Sequence, residues 1–361
     1  MASSSDVLIA GAGLAGLSLA YELLRRGLSS RLFDEGAAGR GTSWAAAGML
    51  APVHELEYQE LELLHAGRQA LATYDRWASE LTDFGLSHSG ALEVALTADD
   101  VPLLRRHFDF QRMQGLNAHW IEGRALHDRW PALAPSIRAG IEAPDDGQVD
   151  HRRLIGLLIA TLRRQGLPLH EHEGLAEWRT ATAGVAVRTT TGDTYTGRAL
   201  VLCTGASLTN WGGPAIVPVR GQMVALEPTT PPSIDVPVRI RNRQYGNAYI
   251  VPKTDRWILG STSEEMGHDA RPTAGGLLDI LNKCYAAVPA LYDQPVVEVW
   301  AGLRPATASR RPVVDALEAD RVWVFNGLYR HGILLAPWLA EQLADWIAGG
   351  RRPATVRHFS F

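Results

Sequence analysis

Val7 to Ala10 form an unbroken apolar run after Asp6, the pattern of a short strand buried on both faces. Leu14, Leu17, Ala20, Leu23 and Leu24 follow at helical spacing, and Gly27 closes the run. Residues 31–33 predict a second short strand that ends at Asp34. Residues 195–207 predict a further buried strand running into Thr204-Gly205-Ala206. Four more strands are expected over 219–227, 238–243, 248–251 and 257–261, with Thr254-Asp255-Arg256 as a turn before the last. Near the end a helix is expected with Pro337 in its first turn and a stripe of Leu335, Leu339, Leu343 and Ile347. Glu55, Glu57, Glu60 and Glu62 read as a solvated helix face rather than a metal site. The longest stretch without a charged residue, 199–219, is broken by Thr204, Asn210, a Gly-Gly pair, Pro214 and Pro218, so it reads as strand and loop rather than a membrane span.

A chain of 361 residues is too long for one ordinary core and predicts two domains. Hydrophobic residues make 46% and charged residues 20%, an ordinary globular profile. The net charge of −4 provides no basic field for nucleic acid. The two cysteines, Cys203 and Cys284, form no metal motif and read as buried reduced thiols. No targeting segment is visible at the N-terminus, so a cytoplasmic protein is expected.

Gly11, Gly13 and Gly16 stand in G-x-G-x-x-G spacing between the first strand and the first helix. Gly11 permits a tight turn, Gly13 lets a pyrophosphate approach the backbone, and Gly16 lets helix and strand pack closely. The helix N-terminus, at Leu14 and Ala15, offers N–H groups to phosphate oxygens. Asp34, 18 positions after Gly16, can accept from both ribose hydroxyls, with Glu35 beside it. These features predict a dinucleotide site without 2′-phosphate, and do not separate FAD from NAD. The small, glycine-rich stretch from Gly39 to Met49 lets backbone approach a large planar ligand; Thr42, Ser43, Ala46, Ala47, Gly48 and Met49 are its expected contacts.

The segments G-A-G-L-A-G, S-W-A-A-A-G-M-L, R-G-Q-M, Y-I-V-P, W-A-G-L-R-P and R-H-G-I-L-L-A-P occur here in one order. In this the chain resembles the D-amino-acid oxidase superfamily of FAD-dependent enzymes, most closely its glycine oxidase branch, whose best-known members serve thiamin biosynthesis. The resemblance spans nearly the whole chain. It implies an α/β plus α+β fold: a discontinuous Rossmann-like FAD-binding domain (1–85, 150–218 and 300–361) and a substrate-binding domain on a mainly antiparallel sheet with helices (86–149 and 219–299). The FAD is expected to be non-covalent, with Leu175, Thr204, Gly205, Gly332, Ile333 and Leu334 as further contacts.

The resemblance also implies oxidation of a Cα–N bond, with hydride transfer to the flavin, hydrolysis of the imine and O2 as electron acceptor. Arg304 is the expected ligand of the substrate carboxylate, since its planar fork can make two parallel charge-assisted bonds. Tyr249 is expected on the same carboxylate, and so is Arg330, with a structural ion pair as its rival reading. Arg304, Arg330 and His331 also count among the flavin contacts. Asn247, Ser263 and His331 are expected around the substrate; each departs from residues common in the family, as does Leu328. The small Ser263 implies room for a substituent, so the expected substrate is glycine or an N-substituted glycine. The expected partners are this small molecule and O2, with no nucleic acid, no membrane and no metal; a homo-oligomer stays open. Rival readings are a D-amino-acid oxidase or dehydrogenase, a quinone-linked dehydrogenase, an NAD-dependent dehydrogenase and a flavin-binding protein without turnover.

Overall fold

The computed structural model describes every residue except 1–4, 56, 59, 183, 208–211, 229–233, 245, 319–320 and 361. The apolar run after Asp6 forms the strand Ser5–Ala10 at the centre of an eight-stranded sheet. Its parallel neighbours are Ser30–Phe33 and Thr194–Leu202. Leu169–His170 and Val322–Asn326 extend the parallel run outward on either side. A parallel sheet must be covered on both faces, which is why these strands read as continuous apolar runs rather than alternating ones. The strand expected over 195–207 stops at Leu202, because Cys203 to Ser207 turn beneath the glycine loop.

The helix Leu14–Arg25 packs on this sheet and on the final helix, Gly332–Gly349. That last helix starts five residues before Pro337, which therefore lies in its second turn and not its first. Proline has no N–H to give the carbonyl four residues back. The Tyr74 hydroxyl, from the helix Leu61–Glu80, donates to that carbonyl, Ile333 O, at 2.5 Å. Leu335, Leu339 and Leu343 are fully buried, but so are Leu334, Ala336 and Trp338 on the other sides. The helix is a core rod between two others, not an amphipathic surface helix.

The second sheet also has eight strands, all paired antiparallel except Ala91–Ala95 against Val238–Arg241. Val217–Leu226, Val238–Arg241, Ala248–Pro252 and Trp257–Gly260 match the four expected strands to within two residues at each end. The expected boundaries at 218/219 and 299/300 both cut strands. Val296–Ala306 pairs along its length with Val217–Leu226 as the edge of this second sheet. Its far end nonetheless touches the first sheet's side: Trp300 Nε1 donates to Ala45 O at 3.0 Å and Thr42 Oγ1 to Leu303 O at 2.5 Å. The sequence motif on that strand carries the look of one unit because its tip packs there. The mixed α/β fold, with one sheet built on a parallel core and one mainly antiparallel sheet, is as expected; Leu175–Ala181, Gly184–Thr189 and Val313–Glu318 join the first sheet antiparallel. No helix among the described residues is long and apolar enough to cross a membrane.

Candidate active site

A cavity of about 790 Å³ runs from the glycine-rich turn to the second sheet. At its first end the turn is built from backbone. Gly11 has φ +103°, and a Cβ there would stand 2.3 Å from Cys203 O. A Cβ on Gly16 would stand 1.9 Å from Gly11 O, so only glycine lets the helix meet the strand. Gly13 caps the helix, and the Leu14 amide donates to Ser43 Oγ at 2.9 Å. The amides of Ala15 and Gly16 belong to the first turn, which the helix itself leaves without acceptors.

Gly11, Gly13, Leu14, Ala15, Asp34, Glu35, Thr42, Ser43, Ala46, Ala47, Gly48, Met49, Leu175, Thr204, Gly205, Gly332 and Ile333 all line this cavity. Gly16 and Leu334 do not: Gly16 is packed on Gly11, and Leu334 is buried against Gly67. Asp34 lines the cavity and also holds the turn together. Its two oxygens accept the Ala12 amide at 2.6 Å and the Gly36 amide at 2.8 Å, which clamps the turn. Burial pushes its carboxyl above the usual range, against those two bonds. Glu35 is exposed beside it and bonds the Ser207 hydroxyl. These elements form a cradle whose turn leaves no room for a side chain at Gly11, with a helix start and two carboxylates at its rim. They fit the diphosphate and ribose of FAD. Cys203 borders the cavity at the turn, and burial pushes its thiol up, out of the nucleophilic range.

The second end is built from side chains. Arg304 crosses the strand Val217–Leu226, and its guanidinium lies where a Cβ on Gly221 would be, 2.3 Å from Nη2. It donates to Thr262 O at 3.1 Å and to Ser261 Oγ at 2.6 Å. No carboxylate pairs with Arg304 among the described residues. Tyr249 lines the cavity nearby, with its hydroxyl on Met223 Sδ at 3.2 Å; burial raises its pKa, and Arg304 and Ser261 hold it back. Asn247 and Ser263 are exposed on the cavity's rim, with His268 beyond them, whose Nε2 lies 3.0 Å from Ala206 O.

Arg330 lines the cavity, but its guanidinium bonds the Glu60 carboxylate and Glu55 O. The rival reading, a structural ion pair, is thus present in the structure. His331 lies behind the wall. It is 4% exposed, does not line the cavity, and burial with two nearby arginines pushes its pKa down to about 3. It is a neutral ring at a helix start, not a pocket residue.

Glu55, Glu57, Glu60 and Glu62 are not a helix face. The helix begins only at Leu61, and Glu57, Glu60 and Glu62 pair with Arg239, Arg330 and Arg311. Among the described residues no cluster could hold a metal ion. Two residues that line the cavity, Arg239 and Glu55, were not read from the sequence as site residues. Arg239 pairs with Tyr249 across two strands, and Glu55 sits on a turn before the helix. An arginine alternating with apolar residues in V-R-I-R was the only hint for the first.

One cavity thus joins a dinucleotide cradle to an end where Arg304, unpaired with any carboxylate among the described residues, stands near Tyr249, an arrangement that suits a nucleotide-dependent enzyme. The chain belongs to the family described as FAD dependent oxidoreductase, whose model matches residues 6–346. It is a FAD-dependent oxidoreductase of that family. The glycine oxidase of Geobacillus kaustophilus is 32% identical over 95% of this chain and 92% of its own length. The bifunctional protein ThiO/ThiG of Trichormus variabilis is 31% identical over 99% of this chain, which spans only 54% of that protein. The crystal structure of glycine oxidase from Geobacillus kaustophilus superposes with a TM-score of 0.91 at 30% identity, covering 99% of this chain and 98% of the other.

Proposed function

We propose that this protein oxidises the Cα–N bond of glycine or of an N-substituted glycine. The observation that carries the reading is Arg304, a guanidinium without a carboxylate partner among the described residues, held beside Tyr249 in the cavity that also contains the glycine turn. The likeness to glycine oxidases, named for that substrate, supports it.

In this reading Arg304 and Tyr249 hold the substrate carboxylate, and Arg330, already paired with Glu60, contributes positive field rather than a direct bond. FAD, when bound, would supply a two-electron acceptor, and O2 is the proposed final oxidant, taking two electrons and two protons to give H2O2. The oxidised substrate is an imine, and its hydrolysis gives glyoxylate and the amine. The turn at 11–16, the segment 42–49 and the start of the last helix hold the cofactor. The amine substituent extends toward the rim at Asn247 and Ser263, where both side chains are exposed.

Anaerobic loss of flavin absorbance with glycine, N-alkylglycines of increasing length and D-alanine tests the reading. Faster reduction by N-alkylglycines than by glycine is expected, and Ser263→Met should slow the long substrates while sparing glycine. Equal slowing of both would remove the argument from Ser263, and reduction by D-alanine alone would overturn the substrate class.

A further inference from the structure

Three arginines border the substrate end of the cavity, and their partners differ. Arg239 bonds His54 O and Glu57 and lies 3.7 Å from the Glu93 carboxylate. Arg330 is bound to Glu60. Arg304 has no carboxylate among the described residues. One carboxyl is likewise left over. Glu55 lines the cavity with its side chain 16% exposed, and among the described residues the only basic nitrogen within 4 Å of its carboxyl is His331 Nδ1 at 3.7 Å, beyond hydrogen-bond reach. After the internal pairs are made, the wall presents one cation and one carboxyl, the complement of a zwitterion.

Glu55 is also firmly placed. Its amide donates to Ala51 O at 2.9 Å, and its carbonyl accepts from Arg330 Nη2 at 3.1 Å. The residues before it are clamped by buried Asp146, which accepts the Val53 amide at 2.9 Å, the His54 amide at 3.0 Å and His54 Nδ1 at 2.8 Å. His54 Nε2 faces Ile141 O at 3.0 Å, so both ring nitrogens meet acceptors, a setting that favours the protonated ring. Burial opposes that charge and Asp146 outweighs it. So much buried structure behind a single carboxyl on a cavity wall is the arrangement of a positioned functional group.

Resting on the amine oxidase reading, we infer that Glu55 binds the amine end of the substrate and takes its proton. The substrate arrives as an ammonium. Its N–H bond breaks, the proton passes to a Glu55 oxygen, and nitrogen keeps the electron pair. No electrons leave the substrate in this step. The freed pair is what a Cα–H bond needs beside it to depart as hydride and leave C=N. The proton leaves to solvent after the imine is released. Charged and titratable groups surround Glu55: Arg330 and His331 at the last helix, Arg239 and Tyr249 on neighbouring strands, Arg304 on the edge strand and Asp146 behind it. Burial raises the Glu55 carboxyl above its ordinary range, with Arg330, Arg239 and Arg304 pulling the other way, which moves it toward the range of a useful proton acceptor.

The test is anaerobic flavin reduction by glycine and an N-alkylglycine as a function of pH, in the FAD-loaded wild type, Glu55→Gln and Glu55→Asp, with acetate binding as a control. Acetate has the carboxylate without the amine, so it should bind the wild type and E55Q equally. In E55Q only free amine reacts, so the rate should fall about tenfold per pH unit below the amine's own pKa, while the wild type stays flatter. E55D should lie between the two. Parallel profiles for all three proteins would overturn the inference, whatever the absolute rates. If no amine reduces the wild type, the oxidase reading itself fails. The inference then stands or falls on binding: the wild type must hold glycine more tightly than acetate, and E55Q must lose that preference.

Discussion

At Gly16 an added Cβ would stand 1.9 Å from the Gly11 carbonyl oxygen; at Gly221 it would stand 2.3 Å from a guanidinium nitrogen of Arg304. Gly16 backs the glycine turn at one end of the cavity, and Gly221 lines the other end. At the first end, backbone meets backbone, and nothing there can move without moving the central strand. At the second, backbone meets the tip of a long side chain that can swing away. The cofactor end is therefore a property of the fold, and the substrate end is a property of a few side chains laid on it. An enzyme arranged this way can change its substrate without changing its cofactor.

Substitution at each end sharpens this contrast. Gly16→Ala has the largest expected effect. The methyl has no space and its neighbour is a fixed carbonyl, so the protein should be recovered without FAD or not recovered folded; absorbance of the purified protein reads this directly. Gly221→Ala should leave FAD bound at full occupancy and displace Arg304. Losing its charge-assisted bonds to a carboxylate costs about 2–4 kcal/mol, roughly 30- to 1000-fold in substrate affinity. Arg304→Lys should fall short of the wild type by a similar factor, because an ammonium cannot make the paired bonds. The smallest effect is expected at Tyr74, behind the cofactor end. Tyr74→Phe leaves the Ile333 carbonyl without a donor in the core, at a cost of about 1–3 kcal/mol. A melting temperature lower by a few degrees, with unchanged substrate affinity, would place that bond in the scaffold.

The two ends also differed in how far the sequence disclosed them. The glycine turn and Asp34 lie within 24 residues, and contiguous spacing encodes their geometry, so, although Gly16, Leu334 and His331 lie behind its wall, most of the residues that line that end were legible. Even there, the bonds from Asp34 to the Ala12 and Gly36 amides were not, because they depend on where the turn folds back. At the substrate end, Arg304 and Tyr249 were found through motifs. Glu55 and Arg239 were not. Their neighbours in space come from the far end of the chain, and the four glutamates at 55–62 look like any solvated run until Arg239, Arg311 and Arg330 are folded against them. Gly221 was visible in R-G-Q-M, but its reason, a seat for Arg304 from a strand 83 positions later, exists only in three dimensions. Pro337 was read as an ordinary helix start for the same reason: the hydroxyl that replaces its missing N–H comes from Tyr74, on another helix.

The most direct measurement is a side-by-side titration of wild type and Gly221→Ala with acetate, following the flavin spectrum, together with FAD content. A substrate end built from side chains predicts full FAD in both proteins and acetate binding only in the wild type. Loss of FAD from Gly221→Ala, or acetate affinity equal to the wild type's, would contradict it.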